Sequence, residues 1–168
     1  YMSKIFQELA SDDRLNVLVS NISEPLIKAM SGVDMTFFVA NKNQESNKEV
    51  YKDTGNILLF PNGDIFPHIL YNMVVGFADD PSMIEILENV ANVLNIPFVL
   101  FIDKTASSYG SVRLVNLVKR CGSDLNVFTS NVIRHSWNIK DKEYIVANYY
   151  DSDQLAKTLT TVEQECKK

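Results

Sequence analysis

The stretch PSMIEILENVANVLNIPFVLFI, from Pro81 to Ile102, joins two patterns that together decide the fold class. Its last six residues are an unbroken apolar run, which is typical of a strand covered on both faces of a parallel sheet. Its first part predicts a helix, because six apolar residues fall on one helical stripe. They are Met83, Ile86, Leu87, Val90, Val93 and Leu94. The stretch therefore predicts a helix that leads the chain into a central strand.

Short apolar runs and helical patterns alternate along the rest of the chain. Further strands are predicted over residues 15–20, 33–40, 56–60, 125–130 and 143–148, and further helices over 23–32, 112–122, 131–139 and 152–168. The run HILYNMVVGF (68–77) fits a short helix or a strand, and helix is our prediction. This order predicts an α/β fold, a three-layer Rossmann-like domain with a mainly parallel sheet and helices on both faces. At 168 residues the chain fits a single domain, 1–168.

Composition narrows the class of protein. Hydrophobic residues make up 46% and charged residues 22%, as in globular proteins. A formal net charge of −5 offers no general attraction for nucleic acid or anionic lipid, so no nucleic acid partner is expected. No run reaches the roughly 18 apolar residues of a spanning helix, so no membrane span is expected. The separated Cys121 and Cys166 indicate neither a disulfide framework nor a zinc site and favour a reducing, cytoplasmic location.

Several familiar chemistries lack their motifs. The turn after the first strand, SNISEP, has no glycine, which argues against dinucleotide binding, and the P-loop and G-x-S-x-G patterns are absent. The two histidines and two cysteines lack the i, i+4 spacing of helical metal ligands, so no metal or cofactor is expected. Asp79 and Asp80, which precede Pro81, predict a helix entry rather than a magnesium site. Asp64 and His68 lie close enough in sequence to act as an acid and base pair, or to be structural.

Two similar segments raise the question of where a ligand would bind. NVLVSNI (Asn16 to Ile22) and NVFTSNVI (Asn126 to Ile133) both end an apolar run with Ser-Asn. Open parallel sheets bind ligands outside the carboxyl ends of their strands, and both pairs fall at such ends. The same residue types also cap helices, which alone would explain them.

The second half of the chain resembles a known family. NIPFVLFIDKTAS (95–107) and LVKRCGSDLNVFTSNVIRHSWNIKDKEYIVANYYDSD (117–153) are similar, in motif order and spacing, to the amino-terminal domain of GT-B fold glycosyltransferases. The resemblance covers about Asn56 to Asp153. Two positions depart from it: Asp103 stands where many members have His, and NYYD replaces a motif with glycine.

The resemblance implies an acceptor-side domain of a hexosyltransferase-like enzyme that lacks the donor-binding half. It implies a sugar or glycosylated acceptor as ligand and a second domain or a protein as partner. The catalytic residues it implies are His68, Asp64 and Asp103. The substrate-binding residues it implies are Ser20, Asn21, Asn62, Thr105, Ser130, Asn131 and Tyr149. The rings of Tyr109, Tyr149 and Tyr150 could cover an apolar sugar face.

A different class of function fits the same residues. A non-catalytic α/β interaction or regulatory module would use the aromatic loop residues of ASSYG and NYYDSD to bind a protein partner. Tyrosine is common at protein interfaces as well as at sugar sites, so the sequence leaves both functions open.

Overall fold

A computed structural model describes residues 14–20, 23–40, 55–59, 69–140 and 142–166. The described residues form seven strands and five α-helices. The strands are β1 (Asn16–Val19), β2 (Thr36–Val39), β3 (Ile57–Leu59), β4 (Met73–Phe77), β5 (Phe98–Ile102), β6 (Leu125–Phe128) and β7 (Tyr144–Val146). The helices are α1 (Glu24–Ser31), α2 (Pro81–Leu94), α3 (Val112–Arg120), α4 (Asn131–Trp137) and α5 (Ser152–Glu165), with a short 3-10 turn at Ala106–Ser108.

All seven strands belong to one sheet in the order β3-β2-β1-β4-β5-β6-β7. Every neighbouring pair is parallel, including the central pair β1 and β4, in which Val17 lies beside Met73. The first six strands follow the Rossmann order. The predicted three-layer Rossmann-like α/β fold is therefore confirmed.

The helices divide between the two faces of the sheet. Val17 and Val19 of β1 point to the face that α1 and α5 cover. Leu18 points to the opposite face, which α2, α3 and α4 cover. Because both faces are covered, β1, β2 and β5 are buried along their whole length. This burial explains why their sequences are continuous apolar runs without alternation.

The helix prediction for 68–77 is wrong. Within that segment the chain forms β4, which pairs with β1 on one side and β5 on the other. Val74 and Val75 are β-branched and favour a strand, and the apolar run is short for a helix. Gly76 also fits a crowded sheet, because a Cβ at this position would lie 3.1 Å from Cε1 of Phe98. The apolar pattern was ambiguous because the strand is buried on both faces.

Most of the helix starts follow the predicted capping chemistry. The side chain of Asp80 accepts from the amide of Ser82 at the start of α2, and Ser130 accepts from Ile133 at the start of α4. Ser23 occupies the capping position of α1, but its hydroxyl makes no capping bond. Ser23 instead lines a cleft at the carboxyl ends of the strands.

Candidate functional site

The centre of the sheet contains a topological switch point. The chain leaves β1 for α1 on one face, and it leaves β4 for α2 on the opposite face. Because β1 and β4 are neighbours, the two connections diverge and open a crevice at the carboxyl ends of these strands. Crevices at this position are where open α/β sheets bind ligands.

A cleft of about 480 Å³ occupies this crevice, and we refer to it as the switch-point cleft. Its walls come from the start of α1, the end of β4 and the loops after β5 and β7. The lining residues are Ser23, Leu26, Phe77, Ala78, Asp79, Asp103, Lys104, Tyr109 and Tyr150. The cleft thus combines two carboxylates, one ammonium, one aliphatic hydroxyl and two phenols with an apolar floor.

Asp79 is the most perturbed carboxyl group of the cleft. The pKa of Asp79 is raised to about 6, chiefly by partial burial and in addition by the negative charges of Asp80 and Asp103. A backbone hydrogen bond from Asp80 and the charge of Lys104 oppose this shift. Asp79 lines the cleft and is nonetheless exposed to solvent. Its carboxylate is therefore ionised near neutral pH but more basic than an ordinary Asp side chain.

Asp103 and Tyr150 form a hydrogen-bonded pair on the cleft wall. The Tyr150 hydroxyl donates to Oδ2 of Asp103 across 2.6 Å. Burial raises the pKa of Tyr150 to about 12, and the bond to Asp103 contributes in the same direction. The phenol therefore remains a neutral donor at neutral pH, and it orients the Asp103 carboxylate within the cleft.

The loop after β5 is tied to α4. The indole of Trp137 donates to the carbonyl of Lys104 across 2.8 Å, and the amide of Ala106 donates to Oγ of Ser136 across 3.1 Å. The ring of Tyr109 lies 5.5 Å from that of Trp137, and the Lys104 ammonium is 5.9 Å from the Tyr109 ring centroid. These contacts hold Lys104 and Tyr109 at the cleft on a supported loop.

The structure brings only some of the predicted site residues together. Asp103 lines the cleft. Thr105 lies on the same loop, but its hydroxyl bonds to Ser108 Oγ at 2.6 Å and does not line the cleft. Ser130 caps α4, and Asn131 is the exposed first residue of that helix. Capping, the alternative that the sequence left open, accounts for Ser130, and the substrate-binding roles of Ser130 and Asn131 stay predictions.

Two other predicted substrate-binding residues are buried. Tyr149 has 0% exposure, and its ring stacks on Phe101 with a centroid separation of 4.3 Å. Its neighbour Tyr150 faces the cleft instead. Ser20 directly follows β1 and is 1% exposed, and its hydroxyl has no hydrogen-bond partner among the described residues.

The remaining predicted site residues lie outside the described residues. They are Asn21 and Asn62, which were predicted to bind substrate, and Asp64 and His68, which were predicted to be catalytic. Their roles stay predictions.

Sequence analysis missed Asp79 as a site residue. The strand-end rule selects the residues that follow a strand, but the segment before Asp79 was predicted as a helix. Asp79 and Asp80 were therefore interpreted together as a helix entry. Asp80 does cap α2, whereas Asp79 lines the cleft. The β-branched pair Val74-Val75 was the signal that could have identified both the strand and the aspartate.

Among the described residues, no three His, Cys, Asp or Glu side chains are grouped so that they could hold a metal ion. Of the helices that the structure describes, none is long and apolar enough to cross a membrane.

Comparison of the sequence with known proteins identifies no family for this chain. No protein-family model matches this chain, and no curated protein matches it significantly in sequence.

Proposed function

We propose that the switch-point cleft binds a hydroxyl-bearing ligand, a sugar or glycosylated acceptor, and that the chain is the acceptor-side domain of a glycosyltransferase. The observation that carries this proposal is the position of the basic Asp79 carboxylate, which lies in a cleft at the ligand-binding point of the fold. The motif order of residues 95–153 supports the same class of enzyme.

The charge of the cleft favours a neutral ligand over a phosphorylated one. Asp79 and Asp103 contribute two negative charges, against one positive charge from Lys104. A phosphate group would be repelled by this balance. The turn after β1 also lacks the glycines that let a backbone approach pyrophosphate. A nucleotide-sugar donor would therefore bind outside this cleft, on the donor-binding half that the family resemblance implies.

The polar groups of the cleft suit a sugar hydroxyl. A hydroxyl both donates and accepts, so it can donate to Asp79 and accept from the Lys104 ammonium. The rings of Tyr109 and Tyr150 offer apolar surface to the C–H face of a sugar ring. This combination of carboxylates and aromatic rings supports a polyhydroxylated ligand.

Asp79 would act as the general base in the transfer. It would accept the proton of the acceptor hydroxyl while that oxygen bonds to the anomeric carbon of a nucleotide sugar. The bond from the anomeric carbon to the phosphate oxygen breaks, and the nucleoside diphosphate leaves with the electron pair. A base whose pKa is near the working pH is more effective than an ordinary carboxylate. Asp103, oriented by Tyr150, would hold a neighbouring hydroxyl.

Saccharide titration followed by amide NMR tests this proposal. The ligands are glucose, galactose, mannose and N-acetylglucosamine, with UDP-glucose as the donor comparison. We expect at least one saccharide to shift the amides of Ala78, Asp79 and Lys104, and UDP-glucose to leave them unchanged. The proposal fails if none of the four saccharides shifts these amides, or if UDP-glucose alone does.

Two variants make the titration specific to the cleft. Asp79→Ala is expected to weaken saccharide binding by about tenfold, which corresponds to the loss of one hydrogen bond to a charged group. Asp34→Ala also removes one carboxylate, but Asp34 has a 92% exposed side chain and does not line the cleft. The Asp34→Ala variant should bind the saccharide as tightly as the wild type does. Equal weakening in both variants would mean that net charge, and not the cleft, governs binding.

A second candidate function is an interaction module that binds a protein partner. One observation favours it: Ile86 and Val93 of α2 are 42% and 75% exposed, and they lie two helical turns apart. Such a stripe is typical of a helix that packs against another surface. Ile86 and Val93 have no reactive or hydrogen-bonding side-chain group, whereas the switch-point cleft has several. The cleft is therefore the stronger basis for a function.

A further inference from the structure

A second concave site lies beside β6 and β7, on the face of the sheet that α4 covers. We call it the edge pocket, and its concavity, which is open to solvent, spans about 410 Å³. The lining residues that matter here are Asn126, Arg134, His135, Asn138, Lys142 and Tyr144. None of these residues lines the switch-point cleft, so the edge pocket is a separate site.

Positive charge gathers at the edge pocket although the chain is acidic overall. The pocket brings together two cationic groups, the guanidinium of Arg134 and the ammonium of Lys142, and the ring of His135 lies beside them. None of the described residues that line it is an aspartate or a glutamate. In a chain with a formal net charge of −5, this local balance is the reverse of the average surface. The pocket therefore attracts anions.

Two buried donors on residues that line the pocket have no hydrogen-bond partner among the residues that the structure describes. Asn126 is 1% exposed, and its Oδ1 accepts from Ser123 Oγ at 2.8 Å, while its Nδ2 is unbonded. Nε of Arg134 is also buried and unbonded. Burying a donor without a partner is energetically unfavourable, so buried donors in native proteins nearly always have one. Both donors would be satisfied by oxygen atoms of a bound anion.

The cationic side chains are already held in place. The Arg134 guanidinium lies 4.7 Å from the ring centroid of Tyr144, and its Nη2 is 2.8 Å from Nε2 of His135. The Lys142 ammonium donates to the carbonyl of Cys121 and lies 3.5 Å from Ser123 Oγ. Because these long side chains are already ordered, less conformational entropy is lost when a ligand binds.

We propose that the edge pocket binds a phosphate group, either as free phosphate or as a small phosphate monoester. A phosphate offers several acceptor oxygens around one centre, which matches a guanidinium, an ammonium and an amide N–H that converge from different elements. The Tyr144 ring beside the Arg134 guanidinium gives the organic part of a monoester an apolar contact. This inference does not depend on the function proposed for the switch-point cleft.

NMR titration with inorganic phosphate and with phenyl phosphate tests the proposal. Sodium chloride at matched ionic strength serves as the reference. We expect the side-chain Nε–H signal of Arg134 and the side-chain amide signals of Asn126 to shift, and the amides of the switch-point cleft to stay in place. Tighter binding of phenyl phosphate would identify a monoester site, and equal binding would identify a free-phosphate site. The proposal fails if neither compound shifts these signals beyond the chloride reference.

Two variants that each remove one positive charge distinguish specific phosphate binding in the edge pocket from non-specific electrostatic attraction. Arg134→Gln should weaken phosphate binding by about tenfold or more, as expected for loss of a charged donor. Lys119→Gln also removes one positive charge, but Lys119 is exposed on α3 and does not line the pocket. This variant should bind phosphate as tightly as the wild type does. Equal weakening in both variants would overturn the proposal.

Asn126→Asp provides an independent variant. It keeps the oxygen that accepts from Ser123 and replaces the unbonded amide nitrogen with a second carboxylate oxygen. We expect this variant to lose phosphate binding, and retained binding would overturn the role of Asn126. Circular dichroism checks its fold, and if it does not fold the comparison of Arg134→Gln with Lys119→Gln decides the result.

Discussion

The hydroxyl of Tyr150 donates to Oδ2 of Asp103 across 2.6 Å and so joins two loops that lie 47 residues apart in sequence. The bond fixes the Asp103 carboxylate in the same cleft as Asp79, whose pKa the charge of Asp103 raises. Tyr150 thereby keeps two like charges close together. The repulsion between these two carboxylates destabilises the fold, and like-charge pairs of this kind are common at functional sites.

Replacing Asp103 with Asn should lower the pKa of Asp79. The substitution removes a negative charge from the cleft but keeps a side-chain oxygen that can accept from Tyr150. We expect the pKa of Asp79 to fall from about 6 towards its ordinary value of 3.8 without reaching it, because burial and the charge of Asp80 remain. Carboxyl ¹³C shifts of Asp79 across a pH titration measure the change. An unchanged pKa in this variant would show that Asp103 and Asp79 do not interact.

Replacing Asp79 with Asn should stabilise the chain near neutral pH. The pKa of Asp79 is higher in the folded chain than its ordinary value, so between about pH 4 and pH 6 the folded chain binds more protons than the unfolded chain. The free energy of unfolding therefore falls as the pH rises through this interval. The neutral Asn side chain avoids that loss. We expect a gain of at most about 1 kcal/mol near pH 7, because solvent screens an accessible carboxylate.

The pH dependence of this gain identifies its source. Well below pH 4 Asp79 is protonated in both the folded and the unfolded state, and the wild type and Asp79→Asn should then be equally stable. Urea unfolding at a series of pH values measures the difference. Glu165→Gln removes one exposed carboxylate at the end of α5 and should show no such dependence. A gain that persists unchanged in acid would exclude like-charge repulsion as its cause.

The fold could be predicted because its strands carry strong local signals. The run that became β5 is apolar at every position, and the stripe that became α2 repeats at helical spacing. The Rossmann order of the sheet did not follow from these signals alone. It depends on which strands meet in space, and β1 meets β4 across more than 50 residues of sequence.

The candidate site was harder to predict because side-chain direction decides it. Tyr149 and Tyr150 are adjacent aromatic residues of one loop, yet the first packs on Phe101 in the core and the second lines the cleft. Composition and spacing treat the two residues alike. Only the direction of the turn into α5 separates them, and that direction is set by packing between elements distant in sequence.

Asn56 is expected to be essential for the stability of the β2–β3 edge. Its buried Nδ2 lies 2.9 Å from the carbonyl oxygens of Met30 and Val33 and 3.0 Å from that of Met35. Asn56→Asp would place a carboxylate among these three acceptors. We expect a loss of about 3 kcal/mol or more in the free energy of unfolding near neutral pH, because a buried charge is left without a donor. Urea unfolding followed by circular dichroism measures it.

Acid should partly rescue this variant. Protonation of the introduced carboxyl group restores one donor, so the deficit of Asn56→Asp should shrink as the pH falls. Asn89→Asp introduces the same charge on the exposed face of α2 and should cost little at any pH. If Asn56→Asp were as stable as Asn89→Asp near neutral pH, the three carbonyl contacts would contribute nothing to the fold.

Gly32 and Ser152 should be energetically coupled, because the end of α1 meets the start of α5 at this pair. A Cβ at Gly32 would lie 2.7 Å from Ser152 Oγ, and that hydroxyl donates to the Ala29 carbonyl across 2.7 Å. We expect Gly32→Ala to cost about 1–3 kcal/mol of unfolding free energy, as overpacking does. The cost should be smaller by about 0.5 kcal/mol or more in a Ser152→Ala background, because the closest atom is then gone. Gly110→Ala is the control, since a Cβ there would meet nothing within 4 Å. Urea unfolding of the single and double variants gives the coupling, and strictly additive effects would contradict the predicted clash.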